Sequence, residues 1–136
     1  MPFTGPFEDR AAIRELYDSY ADAAFRDDGQ AWLACWAKDG LWSTAFGDSR
    51  GAEALTAQWD MIVAAFDAVG FFTQIGSIEV DGDRAQARCY CREILHLKNG
   101  QVMKVTGRYD DDLVREGGAW RFAKRNYTVL IPEAAV

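Results

Sequence analysis

The sequence has 136 residues, enough for one domain with a sizeable core and too few for two. Fifteen Lys and Arg against 21 Asp and Glu give a net charge of −6, the wrong sign for a surface that tracks nucleic-acid phosphates. A hydrophobic content of 49% is that of a globular chain, and no run approaches the roughly 18 apolar residues a membrane span needs. The start MPFTGPFEDR lacks the basic and apolar stretches of a signal peptide, and three cysteines are an odd count, so a cytoplasmic protein with reduced thiols is expected.

Ile13, Leu16, Tyr17, Tyr20, Ala21, Ala24 and Phe25 recur at helical spacing, which predicts a long amphipathic helix over residues 7 to 26. Asp28 is placed to cap a second, short helix carrying Trp32, Leu33 and Trp36, with Asp39-Gly40 as its stop. Leu41 to Phe46 reads as a short strand. Leu55, Trp59, Ile62, Val63 and Phe66 then mark a third helix, expected to run until Gly70. Beyond it, Asp81-Gly82, Asn99-Gly100 and Gly117-Gly118 are hairpin signals between runs rich in Val, Ile, Tyr and Phe. These predict a four-stranded antiparallel meander and an α+β fold over residues 1–136 as a single domain. Strands this long twist, so the sheet should curve around the helices and leave a central pocket on its concave side.

Three stretches carry a family resemblance: Arg10-Ala11-Ala12-Ile13 through Leu16-Tyr17, Trp36 with Asp39-Gly40-Leu41-Trp42, and Gly118-Ala119-Trp120 with Lys124-Arg125-Asn126. Together they resemble the SnoaL-like branch of the nuclear-transport-factor-2-like superfamily, a cone-shaped α+β fold whose members include hexachlorocyclohexane dehydrochlorinase, bile-acid dehydratase and scytalone dehydratase. The resemblance implies a β-elimination site built from a His–Asp dyad with an assisting Lys and Arg. In this sequence the Asp position holds Phe25, the His position Phe71 and the Lys position Tyr20, while the Arg is kept as Arg125. Trp42 and Tyr109 match pocket-lining aromatic positions, and Glu93 matches an acidic pocket residue. Phe cannot move a proton, so dehydrohalogenation by a His–Asp pair is excluded.

Alternation along residues 84 to 96 puts Ala85, Ala87, Cys89, Cys91, Glu93 and Leu95 on one face. Glu93 is the single charge on that inward face and needs a cation, a proton or a wet cavity, and Arg125 is the expected partner. Tyr20 lies on the apolar stripe of the first helix, either as a core tyrosine or as an acid/base whose pKa a neighbouring guanidinium lowers. The last strand sets Trp120 and Phe122 on the face opposite Arg125. Either a bulge shifts its phase or another subunit covers its outer face; the size of the Trp120/Phe122 patch favours a homo-oligomer, dimer or trimer.

His96 reads as solvated surface, Cys35, Cys89 and Cys91 as small core residues, and Asp110-Asp111-Asp112 as decoration of a strand end. No metal or cofactor site is expected. The residue set predicts a cofactor-independent lyase or isomerase for a hydrophobic, aromatic or polycyclic small molecule. Tyr20, Arg125 and Glu93 are its candidate catalytic residues, and Phe25, Trp42, Phe46, Trp59, Phe71 and Tyr109 its ligand contacts. Two other classes fit the same residues: a non-catalytic small-molecule-binding module, and a structural small subunit like those of ring-hydroxylating dioxygenases.

Overall fold

In the computed structural model, which describes residues 2–133, a two-residue strand β1 (Phe3–Thr4) leads into helix α1 (Phe7–Arg26). The helix has the bounds its periodicity predicts, and Ile13, Tyr17, Tyr20 and Ala23 form its buried face. Glu8 and Asp9 in the first turn and Arg26 in the last oppose the helix dipole favourably, and Asp27, left-handed at φ 52°, ends it. The Asp28 side chain accepts a hydrogen bond from the Ala31 amide at 3.0 Å and caps α2 (Gly29–Ala34), as expected.

Two element boundaries differ from the sequence pattern. Helix α2 stops at Ala34, and strand β2 (Trp36–Thr44) runs through Asp39-Gly40, because the Cys35 carbonyl accepts from the Phe122 amide at 2.9 Å and Trp36 pairs with Phe122. Strand β3 (Gly47–Arg50) folds back on β2, and α3 (Gly51–Val63) follows. Phe66, in helical phase with Val63, instead opens β4 (Phe66–Asp81) opposite Leu97, and Gly70 lies within that strand. In both places long-range strand pairing overrides a locally helical pattern.

The meander of β4, β5 (Arg84–Leu97), β6 (Val102–Glu116) and β7 (Ala119–Pro132) turns at the three hairpins the sequence marks. The sheet has seven strands in the order β1-β4-β5-β6-β7-β2-β3, curved and unclosed, with β1 parallel to β4 and β2 parallel to β7. Strand β5 alternates as expected: Ala85, Ala87, Cys89, Cys91 and Leu95 are buried and the residues between them are not.

The phase of β7 is set by a bulge. Leu113 pairs with Phe122 and Asp112 with Lys124, so Ala123 is an extra residue that shifts the alternation by one. Trp120, Phe122 and Arg125 therefore all lie inside the molecule, at 6%, 0% and 0% exposure. This corrects the expected outward Trp120/Phe122 patch and removes the ground on which a homo-oligomer interface was predicted there. Among the described residues no helix is long and apolar enough to cross a membrane.

Candidate active site

The bulge delivers Arg125 to the inner face of the sheet, opposite Asp111 on β6. Its Nε donates to Asp111 Oδ1 at 2.9 Å and its Nη2 to Oδ2 at 3.0 Å, a two-point contact, and the Tyr17 hydroxyl from α1 also donates to Oδ2. Four rings enclose the guanidinium: its central carbon lies 3.7 Å from the Tyr109 centroid, 4.2 Å from Phe122, 4.5 Å from Tyr20 and 5.2 Å from Tyr17. Burial pushes the Asp111 carboxyl up, while the charge and donated bonds of Arg125 and the Tyr17 hydroxyl oppose that shift. Burial also works against the Arg125 charge, but the facing Asp111 outweighs it and the guanidinium stays protonated. Arg125 Nη1 is the one nitrogen of the group left without a hydrogen-bond partner among the described residues; the Trp36 and Trp42 indole nitrogens are likewise unpaired.

The partner of Arg125 is thus Asp111, not Glu93, and Asp111 is a mid-strand interior residue rather than a strand-end decoration. The signal was present in the alternation of β6, where Gly107, Tyr109, Asp111 and Leu113 share the buried face and Asp111 is the single charge among them.

Glu93 does point inward, two residues beyond buried Cys91 and two before buried Leu95, opposite Phe71 on β4 and Val105 on β6. It is half-buried and makes no ion pair among the described residues. Burial pushes its carboxyl up to about 7, and the Arg125 charge and the nearby Tyr127 hydroxyl pull only part of the way back. The Cys91 thiol lies 4.0 Å from its Oε1. A carboxyl in this range is divided between acid and base forms near neutral pH, which suits proton transfer in either direction.

Tyr20 is buried at 3% exposure among Phe122, Phe71, Trp32 and Trp36, with ring centroids 5.6, 5.8, 5.9 and 6.4 Å away. Burial raises its phenol to about 12, against the pull of the Arg125 charge and of the neighbouring Trp32 and Tyr109 polar groups. The expected lowering by a neighbouring guanidinium is reversed, because desolvation outweighs it. Tyr20 is therefore a neutral hydrogen-bonding group rather than a ready base.

The other expected ligand contacts divide. Trp42, Trp59, Phe71 and Tyr109 are buried in one aromatic cluster, in which Trp32 lies 4.8 Å from Trp59 and 5.4 Å from Trp42. These rings pack on one another between the helices and the concave face of the sheet, the side on which a central pocket was expected. Phe25 and Phe46 do not line that space. Phe25, at the end of α1, is half exposed and packs edge-on against Phe72 at 5.3 Å. Phe46 lies in the β2–β3 turn at 96% exposure. Two open concavities, of about 350 and 570 Å3, lie on the outer face of the sheet, lined by Glu79, Gln86, Asp112 and Lys124 in both cases. His96 is exposed, as expected. The three cysteines are unpaired and buried, and burial raises their thiols to about 11 or 12, which leaves them unreactive.

Residues 6–126 match the SnoaL-like domain, and the chain belongs to that family. A comparison with the curated proteins finds no match. Solved structures with the same fold include a candidate aromatic ring hydroxylase from Novosphingobium aromaticivorans, 22% identical over 98% of this chain and 96% of that one, with a TM-score of 0.90. A candidate scytalone dehydratase from the same organism is 19% identical over 91% of this chain and 85% of that one, with a TM-score of 0.85. A hexachlorocyclohexane dehydrochlorinase is 19% identical over 93% of this chain and 90% of that one, with a TM-score of 0.83.

Proposed function

We propose, with membership of the SnoaL-like family as the premise, that this chain is a cofactor-independent lyase of the dehydratase or elimination type acting on a hydrophobic, ring-bearing small molecule. The observation that carries this reading is the combination, on one inner sheet face, of a carboxyl that burial pushes up to about 7 and a buried guanidinium with its Nη1 unpaired among the described residues. Structural relatives named as a dehydratase and a dehydrochlorinase support the reaction class.

In the proposed reaction the Glu93 carboxylate takes a proton from the carbon next to a substrate carbonyl. The electron pair moves onto the carbonyl oxygen, where Arg125 Nη1 and the neutral Tyr20 hydroxyl stabilise the developing negative charge. Collapse of that enolate expels the hydroxyl on the next carbon. Protonated Glu93 returns its proton to the leaving oxygen, so water departs and the residue is regenerated. Asp111 holds the guanidinium plane and does not exchange protons. Trp42, Trp59, Phe71 and Tyr109 give the substrate rings an apolar wall, and admission of a ligand requires this cluster to part.

A panel of ring-bearing β-hydroxyketones, followed by the ultraviolet absorbance of the conjugated enone product, tests the proposal. Turnover that rises with pH around 7 and falls about 100-fold or more in Glu93→Gln is the expected result. Ligands that bind without turnover would leave a binding module without chemistry.

A further inference from the structure

The meander contains an arrangement that the proposed reaction does not use, at Gly107 on β6. Gly107 is buried on the inner face and sits between Cys91 on β5 and Val129 on β7. A Cβ there would lie within 2.6 Å of Tyr127 ring carbons and overlap the Tyr127 hydroxyl. Tyr127 is on β7, opposite Tyr109, and its ring packs on Tyr109 with centroids 4.8 Å apart. Its side chain therefore leaves β7, leans along the inner face and lies flat across the bare backbone of β6. Its hydroxyl ends over Gly107, whose β5 partner is Cys91, and the Cys91 thiol lies 4.0 Å from Glu93 Oε1, so the phenol comes down beside the Cys91 and Glu93 side chains of β5. No other residue type at position 107 leaves this path open, and Gly107 carries no left-handed backbone angle that would otherwise demand glycine.

We infer that Tyr127 is a positioning residue for Glu93, holding the carboxyl toward the interior through the gap that Gly107 leaves in β6. The inference rests on the proposed role of Glu93 as the proton-transfer group. A tyrosine hydroxyl fixed by its ring stack on Tyr109 restricts the rotamers of a half-buried glutamate that has no ion pair. A phenol hydroxyl in this place donates to the carboxylate more strongly than it accepts from the acid, which weights the base form of Glu93. The groups that face the carboxyl are Tyr127 and Arg125 from β7, Cys91 from its own strand and Tyr109 from β6. Burial raises the Cys91 thiol to about 12 and the Tyr109 phenol well above its ordinary range, so both stay neutral while Glu93 titrates. Arg125 stays charged. Tyr127 is then the hydroxyl whose removal alters the titration without altering a charge.

The test is a pH titration of the Glu93 side-chain carboxyl by 13C NMR, assigned by the loss of its signal in Glu93→Gln. Tyr127→Phe keeps the ring on Tyr109 and removes the donor, and its Glu93 midpoint should move upward from that of the unaltered protein. Gly107→Ala keeps the hydroxyl but closes the gap, so it should move the midpoint in the same direction. The double variant should shift no further than the larger single shift, since both changes remove one interaction. Midpoints unmoved in both single variants, or shifts that add in the double variant, would overturn the assignment of Tyr127. If either variant fails to fold, the other decides by itself. A Glu93 midpoint in the ordinary carboxylate range in the unaltered protein would instead remove the proposed function, and with it the premise of this inference.

Discussion

Two acidic residues share the inner face of one sheet and meet opposite fates. Asp111 sits where β6, β7 and α1 are packed together, is 3% exposed, and receives three donated hydrogen bonds from Arg125 and Tyr17. Glu93 sits near the C-terminal end of β5, half-buried, with no ion pair among the described residues. The same residue chemistry is thereby divided into a fixed anion and a titrating one. Where the chain surrounds a carboxylate with donors, its charge organises a neighbour; where it supplies apolar surface and a single phenol, its proton becomes mobile near neutral pH. The contrast matters for the proposed reaction, which needs a rigid cation and a group that can both take and return a proton.

The sharpest way to break the contrast is to remove the cation. Arg125→Met leaves Asp111 as a buried, unpaired carboxylate and should cost about 3–5 kcal/mol of stability by chemical denaturation, with Arg125→Met/Asp111→Leu recovering much of it. Arg125→Met/Glu93→Gln should recover none beyond the independent effect of Glu93→Gln, because Glu93 is not the partner. Equal recovery in the two double variants would erase the distinction between the two acids.

The next effect is pH-dependent and belongs to Glu93. Its folded pKa near 7 lies above the ordinary 4.5, so the folded state holds a proton that the unfolded chain releases between those values. The resulting penalty is absent below about pH 4.5, grows as pH rises, and is complete above about pH 7, on the order of 3 kcal/mol at most, with partial exposure reducing it. Glu93→Gln imitates the protonated form. Its melting temperature should exceed that of the unaltered protein at pH 8 and converge with it near pH 4. A gap that widens toward acid would reverse the sign and place Glu93 in an ion pair.

Most of the fold is legible because its signals are local: α1 follows apolar spacing, the cap at Asp28 follows residue type, and the hairpins follow Asp-Gly, Asn-Gly and Gly-Gly pairs. The inward face of β5, with Glu93 upon it, follows strict alternation. What the sequence conceals depends on register. Ala123 has no feature that marks it as a bulge, yet that residue turns Arg125 inward together with Trp120 and Phe122. Without the bulge, Asp111 has no visible partner and Glu93 acquires the wrong one. The aromatic residues present the same difficulty in another form. Composition shows that rings are abundant, but whether they line a pocket or fill it is decided by their packing on one another.

Tyr17 and Tyr20 allow a finer comparison, since both stand on the buried stripe of α1 one turn apart. Tyr17 donates to an ionised acceptor, and Tyr17→Phe should therefore lose about 1.5–3 kcal/mol, the range for a hydrogen bond to a charged group. Tyr20 has neutral partners in Trp32 and Tyr109. Tyr20→Phe preserves the ring contacts with Phe71 and Phe122 and should lose about 1 kcal/mol or less. Denaturant midpoints of the two variants, measured under one set of conditions, should rank in that order. Activity separates them the other way. If the Tyr20 hydroxyl stabilises the developing oxyanion, Tyr20→Phe should reduce turnover of a β-hydroxyketone substrate about 100-fold, the effect of removing one oxyanion donor. Tyr17→Phe, which weakens only the support of Asp111, should reduce it far less. A Tyr20→Phe variant with full turnover would return Tyr20 to the core, leaving Arg125 alone to meet the oxyanion.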